Sequence, residues 1–155
     1  MAAHYLLALA VGALAASAGT ALTQPSPQTP REAVSTREAP EAIGPYSQAI
    51  RAGNTLYLAG QIAIDPATNR LIEDASIEAQ TRRVLDNLKA VLAAAGMGME
   101  HVVSTTVFMT DLGEFGRMNE VYATYFRTAP PARATVQAAR LPRDVKVEIA
   151  AIAVR

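Results

Sequence analysis

The chain has 155 residues, half of them apolar and 18% charged, which suits one globular domain with a real core rather than two. Its 14 basic and 14 acidic side chains cancel. It therefore lacks the basic excess that a phosphate backbone demands, and nucleic acid is not an expected partner. There is no cysteine, and the only histidines are His4 and His101, so disulfides, thiolate chemistry and ordinary His-rich zinc sites are excluded, and no other metal-ligand spacing appears, so no metal is expected.

Residues 1–30 carry no Asp, Glu, Lys or Arg. From Tyr5 to Ala18 the chain is almost purely apolar, too short to span a bilayer and of the length of a signal-peptide h-region. Ala16-Ser17-Ala18 supplies a small–x–small cleavage pattern, and Gly19-Thr20-Ala21 a second. The expectation is a signal peptide over residues 1–21, cut near Ala18 or Ala21, and a periplasmic or secreted protein without a stable membrane anchor. The region before the apolar run has only the terminal amine and His4 where Lys or Arg is usual, so the other reading is a disordered Ala-rich extension. Pro25, Pro27, Pro30 and Pro40 stand among Ser, Thr and Gln with no apolar periodicity, so residues 22–40 read as a Pro-rich flexible linker and 41–155 as the folded domain.

Inside the domain, Ser47 to Ile50 and Thr55 to Ala59 flank the turn pair Gly53-Asn54 and read as a hairpin. Asp65 to Asn69 is a turn. Ile77, Thr81, Val84, Leu85, Leu88, Val91, Leu92 and Ala95 share one face of a helix that Gly96 stops. Val102 to Met109 is rich in β-branched residues and reads as a strand. Phe115, Met118, Tyr122 and Phe126 mark a second amphipathic helix, ended by Pro130-Pro131. Ala134 to Ala138 and Val145 to Val154 are the last strands. The order β-β-α-β-α-β-β predicts an α+β fold, a mixed sheet with both helices on one face. The other face, carrying Tyr57 and further apolar groups, is expected to meet another subunit.

Several residues could carry chemistry. Arg133 follows Pro131-Ala132 at a strand start, where a guanidinium can clamp a carboxylate; alone it reads better as a surface ion-pair partner. Glu148 stands in an apolar strand, where burial could tune it for proton transfer; otherwise it is a solvent-facing residue of an alternating pattern. Tyr46, in the turn Gly44-Pro45-Tyr46-Ser47, is either held over a cleft or caps the core. Gly60 could let backbone approach a ligand or simply make a turn. Asn119 lies beside the buried face of the second helix, where its amide could serve a site or cap backbone. His101, just before a strand, reads as a half-exposed surface residue.

Together these segments resemble the YjgF, or reactive-intermediate deaminase (Rid), family. The resemblance rests on Ala39-Pro40-Glu41-Ala42-Ile43-Gly44-Pro45-Tyr46-Ser47-Gln48-Ala49, on Leu58-Ala59-Gly60-Gln61-Ile62, and on Asn87 to Leu92 followed by Ala95-Gly96. It continues through Thr106-Val107-Phe108, Asp111-Leu112, Met118 to Tyr122, Pro131-Ala132-Arg133, Ala139 to Pro142 and Val147-Glu148-Ile149. It covers about residue 34 to the C-terminus. It implies a chorismate-mutase-like fold, a homotrimer whose sheets form a central barrel, and sites in the clefts between subunits. It also implies hydrolysis of enamine and imine intermediates of the 2-aminoacrylate and 2-iminopropanoate type to 2-oxo acids and ammonia, without cofactor. Carried over by position, Arg133 binds the substrate carboxylate and Glu148 handles water and proton. Tyr46 and Asn119 shape the site, Gly60 supplies backbone contact, and Thr135 keeps a largely backbone contact.

This chain departs from the family pattern in three places. Ala59 replaces a serine common before Gly-Gln, Ala134-Thr135 replaces Ser-Cys, and the loop from Phe126 to Pro131 is shorter than in many members. Two other functions compete with the deaminase. One is a non-catalytic trimer acting as a holdase or ligand-binding protein. The other is the ribonuclease activity reported for some relatives, which neutral charge and the absence of a suitable histidine disfavour.

Overall fold

The computed structural model describes residues 30–155; the expected leader and residues 22–29 of the expected linker lie outside them. Eight strands and two helices follow in chain order: β1 (Arg31–Val34), β2 (Ala49–Ala52), β3 (Thr55–Gln61), β4 (Ile64–Asp65), β5 (Arg70–Leu71), α1 (Ile77–Ala94), β6 (Val102–Met109), α2 (Phe115–Tyr125), β7 (Ala132–Gln137) and β8 (Val147–Val154). Six strands make one sheet in the order β1-β2-β3-β8-β6-β7, and β4 and β5 form a separate small hairpin. All neighbours in the large sheet are antiparallel except β6 and β7. That parallel pair is connected through α2, as a parallel crossover requires.

The expected mixed sheet with two helices is present. Two additions mark where local pattern was too weak to read. β1 falls in the segment expected as linker; only Val34 of its four residues is buried, so no alternation announces it, and pairing with β2 supplies its hydrogen bonds. β4 and β5 flank the anticipated turn at Asp65 to Asn69 but are two residues each, below the length at which period-2 patterning shows. The last strand begins at Val147 rather than Val145, because Pro142–Asp144 forms a short 3-10 turn first.

The helices take their faces from the sequence. Ser76 caps α1 by accepting from the Ala79 amide at 3.2 Å. Gly96, at φ 68°, adopts the left-handed conformation that ends it, while Met97 N–H donates to the Leu92 carbonyl at 2.9 Å. Val84, Leu85, Leu88, Val91 and Leu92 of α1 and Met118 and Tyr122 of α2 share one core with Leu56, Leu58, Val107, Ile149 and Ala151. Along β8 the buried residues Val147, Ile149, Ala151 and Ala153 alternate with more exposed ones at 148, 150, 152 and 154. Both helices therefore cover one face of the sheet. Tyr57, Val136, Ile152 and Val154 are large apolar side chains left exposed. Tyr57 and Ile152 are direct cross-strand partners, so part of this surface is continuous across the uncovered face.

Candidate functional site

A bulge builds the first half of the site. Between Leu58 and Gln61 the register of β3 against β8 shifts, which places Ala59 and Gly60 against the stretch of β8 that carries Glu148. A Cβ built on Gly60 would overlap the Glu148 carboxylate, approaching Cδ at 2.9 Å and Cγ at 3.0 Å. Glycine is needed here for space, since its φ is ordinary. Ile43, Tyr46, Ala59, Gly60, Ile62, Pro142 and Glu148 line one open cleft. Tyr46 is held by its own turn: its N–H donates to the Gly44 carbonyl at 2.8 Å, and its hydroxyl oxygen accepts from the Ile43 amide at 3.2 Å. Its ring is half exposed over the cleft rather than capping the core.

Glu148 is half-buried on the sheet face away from the helices, opposite Phe108. Burial pushes its carboxyl above the usual carboxylate range, because low-dielectric surroundings disfavour the charged form. Among the described residues it makes no ion pair. A carboxylate in a cleft, with raised proton affinity and no partner, is suited to accept and return a proton.

The second half lies on the other side of the sheet. Arg133 on β7 is the register partner of Thr105 on β6, and Thr105 faces the helices, with its side-chain oxygen 2.7 Å from the Tyr122 hydroxyl. The Arg133 guanidinium lies over the rings of Tyr122, 4.6 Å from the centroid, and Phe115, at 5.5 Å. Asn119, Tyr122, Ala123, Phe126, Pro130, Pro131 and Arg133 line an open cleft. Pro130 and Pro131 fix the backbone entering β7. Among the described residues Arg133 has no acidic partner, so the plain ion-pair reading of this residue does not hold. Its fork is free for an anion.

The structure thus brings Glu148, Gly60 and Tyr46 together, and Arg133 and Asn119 together, but within one chain it does not join the two groups. Arg133 and Glu148 are two strands and three register positions apart, roughly 14 Å between Cα atoms on β-sheet spacing, and on opposite faces. Thr135 belongs to neither cleft. It pairs with Val107, and its hydroxyl is buried without a hydrogen-bond partner, so only its backbone, on an edge strand, is open to a ligand. In sequence, Tyr122 and Phe115 stood out only as apolar positions marking the second amphipathic helix, and Thr105 did not stand out. The signal was Tyr122 standing three residues after Asn119 on one helix face. Phe115 is partly exposed. His101 is the half-exposed residue expected, its Nδ1 accepting from the Gly98 amide at 3.0 Å.

The chain is similar to known proteins over most of its length. The family model described as Endoribonuclease L-PSP matches residues 36–155. Protein DfrA of Myxococcus xanthus is 57% identical over 126 residues, which is 80% of this chain and 95% of that protein. The mouse 2-iminobutanoate/2-iminopropanoate deaminase is 46% identical over 125 residues, 81% of this chain and 92% of that one. The crystal structure of the Rid-family protein YyfA of Yersinia pestis superimposes with a TM-score of 0.79 at 45% identity, covering 81% of this chain and all of that one. An α+β sheet with the matching segments in order, and matches over nearly the whole length of these relatives, make this chain a member of the Endoribonuclease L-PSP family, the YjgF or Rid family.

Proposed function

We propose that the protein hydrolyses reactive 2-imino acids, and their enamine tautomers of the 2-aminoacrylate type, to 2-oxo acids and ammonia. One observation carries this reading: a guanidinium without an acidic partner and a half-buried carboxylate of raised proton affinity each line an open cleft. The activity for which the mouse relative is named supports it. The substrate carboxylate binds the Arg133 fork, and Asn119 borders it. Glu148 takes a proton from water as the oxygen adds to the imine carbon. It delivers that proton to the nitrogen to give the neutral carbinolamine, then takes the hydroxyl proton and passes it to the amine as the C–N bond breaks, releasing ammonia and leaving the C=O bond. The imine carbon is already electrophilic, so orientation and one proton relay suffice.

In this reading the working unit is a homotrimer, in which the Arg133 cleft of one copy closes on the Glu148 cleft of the next. The opposite placement of the two halves and the uncovered apolar face support it. Residues 1–21 act as a cleavable leader that delivers the chain to the periplasm; the sequence of the uncharged apolar run supports this, and Edman or mass-spectrometric reading of the mature N-terminus tests it. The activity is tested by generating imino acids with an amino-acid oxidase and following their loss. Acceleration by wild type and none by Arg133→Ala is expected; no acceleration by wild type overturns the reading.

A further inference from the structure

Arg133 raises a physical problem. Arginine is long and carries many rotamers, so an exposed one binds a carboxylate well only if something orders it first. A neighbouring Asp or Glu would order it, but would also occupy the donors meant for the substrate. Among the described residues no such acid is present. The guanidinium instead lies over aromatic faces, at 4.6 Å from the Tyr122 centroid and 5.5 Å from that of Phe115. A π face attracts a cation through its quadrupole and leaves the N–H fork in the guanidinium plane free.

Tyr122 is itself fixed. It is 6% exposed, and its hydroxyl sits 2.7 Å from the side-chain oxygen of Thr105, which is 2% exposed. Its ring packs against Phe126, centroids 4.6 Å apart and tilted by 38°. Thr105 is also the residue directly across the parallel ladder from Arg133. Strand, helix and neighbouring strand therefore meet in one triangle, with Thr105 orienting the ring and the ring facing the guanidinium.

We propose that Tyr122, oriented by Thr105 and assisted by Phe115, is a positioning residue that pre-orders the Arg133 guanidinium through its ring face while leaving the donors free for the substrate carboxylate. The inference rests on the imine-hydrolase reading for its kinetic consequence only. Burial raises the Tyr122 hydroxyl above its usual range even though Arg133 and Thr105 pull it down, so the ring stays neutral across the working pH and the guanidinium meets a quadrupole, not a phenolate.

The test uses the full chain, oxidase-generated imino acids and three variants. Tyr122→Leu keeps apolar bulk without a π face, Tyr122→Phe restores the face, and Phe115→Leu removes the second, partly exposed ring. Tyr122→Leu is expected to raise KM about three- to tenfold at nearly constant kcat, as loss of one cation–π contact implies. Tyr122→Phe should recover most of that, and Phe115→Leu should show a smaller shift of the same sign. In an Arg133→Ala background Tyr122→Leu should add nothing further. A merely structural role would lower kcat with KM and persist in that background, and either result overturns the proposal. A second readout needs no turnover: the Nε–H proton of Arg133, assigned against Arg133→Ala, should be shifted upfield by the Tyr122 ring current in wild type. A resonance at the ordinary arginine position overturns the proposal even if Tyr122→Leu fails to fold. Wild-type protein that shows the ring-current shift but no imine hydrolysis would defeat the proposed function and leave the positioning intact.

Discussion

Gly60 and Glu148 occupy the same space: a Cβ on the first would sit inside the carboxylate of the second, within 2.9 Å of its Cδ. The bulge in β3 and the absence of a side chain at position 60 together create room for that carboxylate. Gly60→Ala should therefore move the carboxylate rather than unfold the sheet. We expect kcat/KM to fall by about 10²-fold, the cost typical of an ångström-scale misplacement, while the melting temperature changes little. Steady-state kinetics beside thermal unfolding checks this; full activity in Gly60→Ala would show that the Glu148 position is unimportant.

Glu148→Gln keeps the shape and removes the proton. Turnover should drop by about 10²–10⁴-fold, the usual contribution of a general acid–base group. Wild-type kcat/KM should decline as pH falls through the raised Glu148 value, and the variant should lack that limb. Stability follows the opposite sense. The folded state disfavours the carboxylate, so Glu148 weakens folding increasingly as pH rises from the ordinary glutamate range through its raised value, and acid relieves the penalty. Denaturant curves should show Glu148→Gln at least as stable as wild type at neutral pH, with the difference vanishing on acidification.

Arg133→Lys keeps the charge and loses the planar fork, so it should raise KM substantially. Arg133→Ala should cost more, on the order of 2–5 kcal/mol in transition-state binding, because the substrate carboxylate then has no partner. Comparison of kcat/KM values separates the two; equal activity of all three proteins would remove Arg133 from the site.

The Thr105–Tyr122 hydrogen bond is buried at both ends. Thr105→Val strands the Tyr122 hydroxyl and should destabilise the fold by about 1–3 kcal/mol, the desolvation cost of an orphaned polar group. The double variant Thr105→Val/Tyr122→Phe should be closer to wild type than Thr105→Val alone. A denaturant double-mutant cycle with no coupling would show that the bond contributes nothing.

Arg133→Ala and Glu148→Gln should complement each other. If each site takes Arg133 from one copy and Glu148 from the next, co-refolding equal amounts of the two inactive variants should return about a quarter of wild-type activity, since half the copies carry each intact residue. Complementation at zero, with mixed trimers confirmed by mass spectrometry, would place both residues of a site in one chain. Monomers in light scattering would remove the trimer itself.

Periodicity made the fold legible in sequence wherever it was long enough. The 18-residue α1 and the alternating β8 announce their faces, whereas β1, β4 and β5 depend on partners that no local pattern reveals. The candidate site was legible as a set of residues and not as a geometry. Gly60 could be singled out, but its steric reason depends on the β3 bulge against β8. Arg133 and Glu148 could be singled out too, yet their opposite faces follow from register, and register follows from which strand is central. Tyr122 reads as an apolar position of an amphipathic helix and is core; that one face of its ring also meets a guanidinium depends on the β6–β7 parallel pairing.

The two-sided placement of Arg133 and Glu148 has a consequence for how the catalyst behaves when scarce. If the proposed site takes Arg133 from one copy and Glu148 from the next, a folded chain alone holds only unmatched halves. Specific activity should then depend on protein concentration, collapsing on dilution below the dissociation constant of the assembly and recovering on reconcentration. Newly made chains would stay silent until enough copies had accumulated in one compartment, so the proposed activity would have a threshold set by the chain's own abundance.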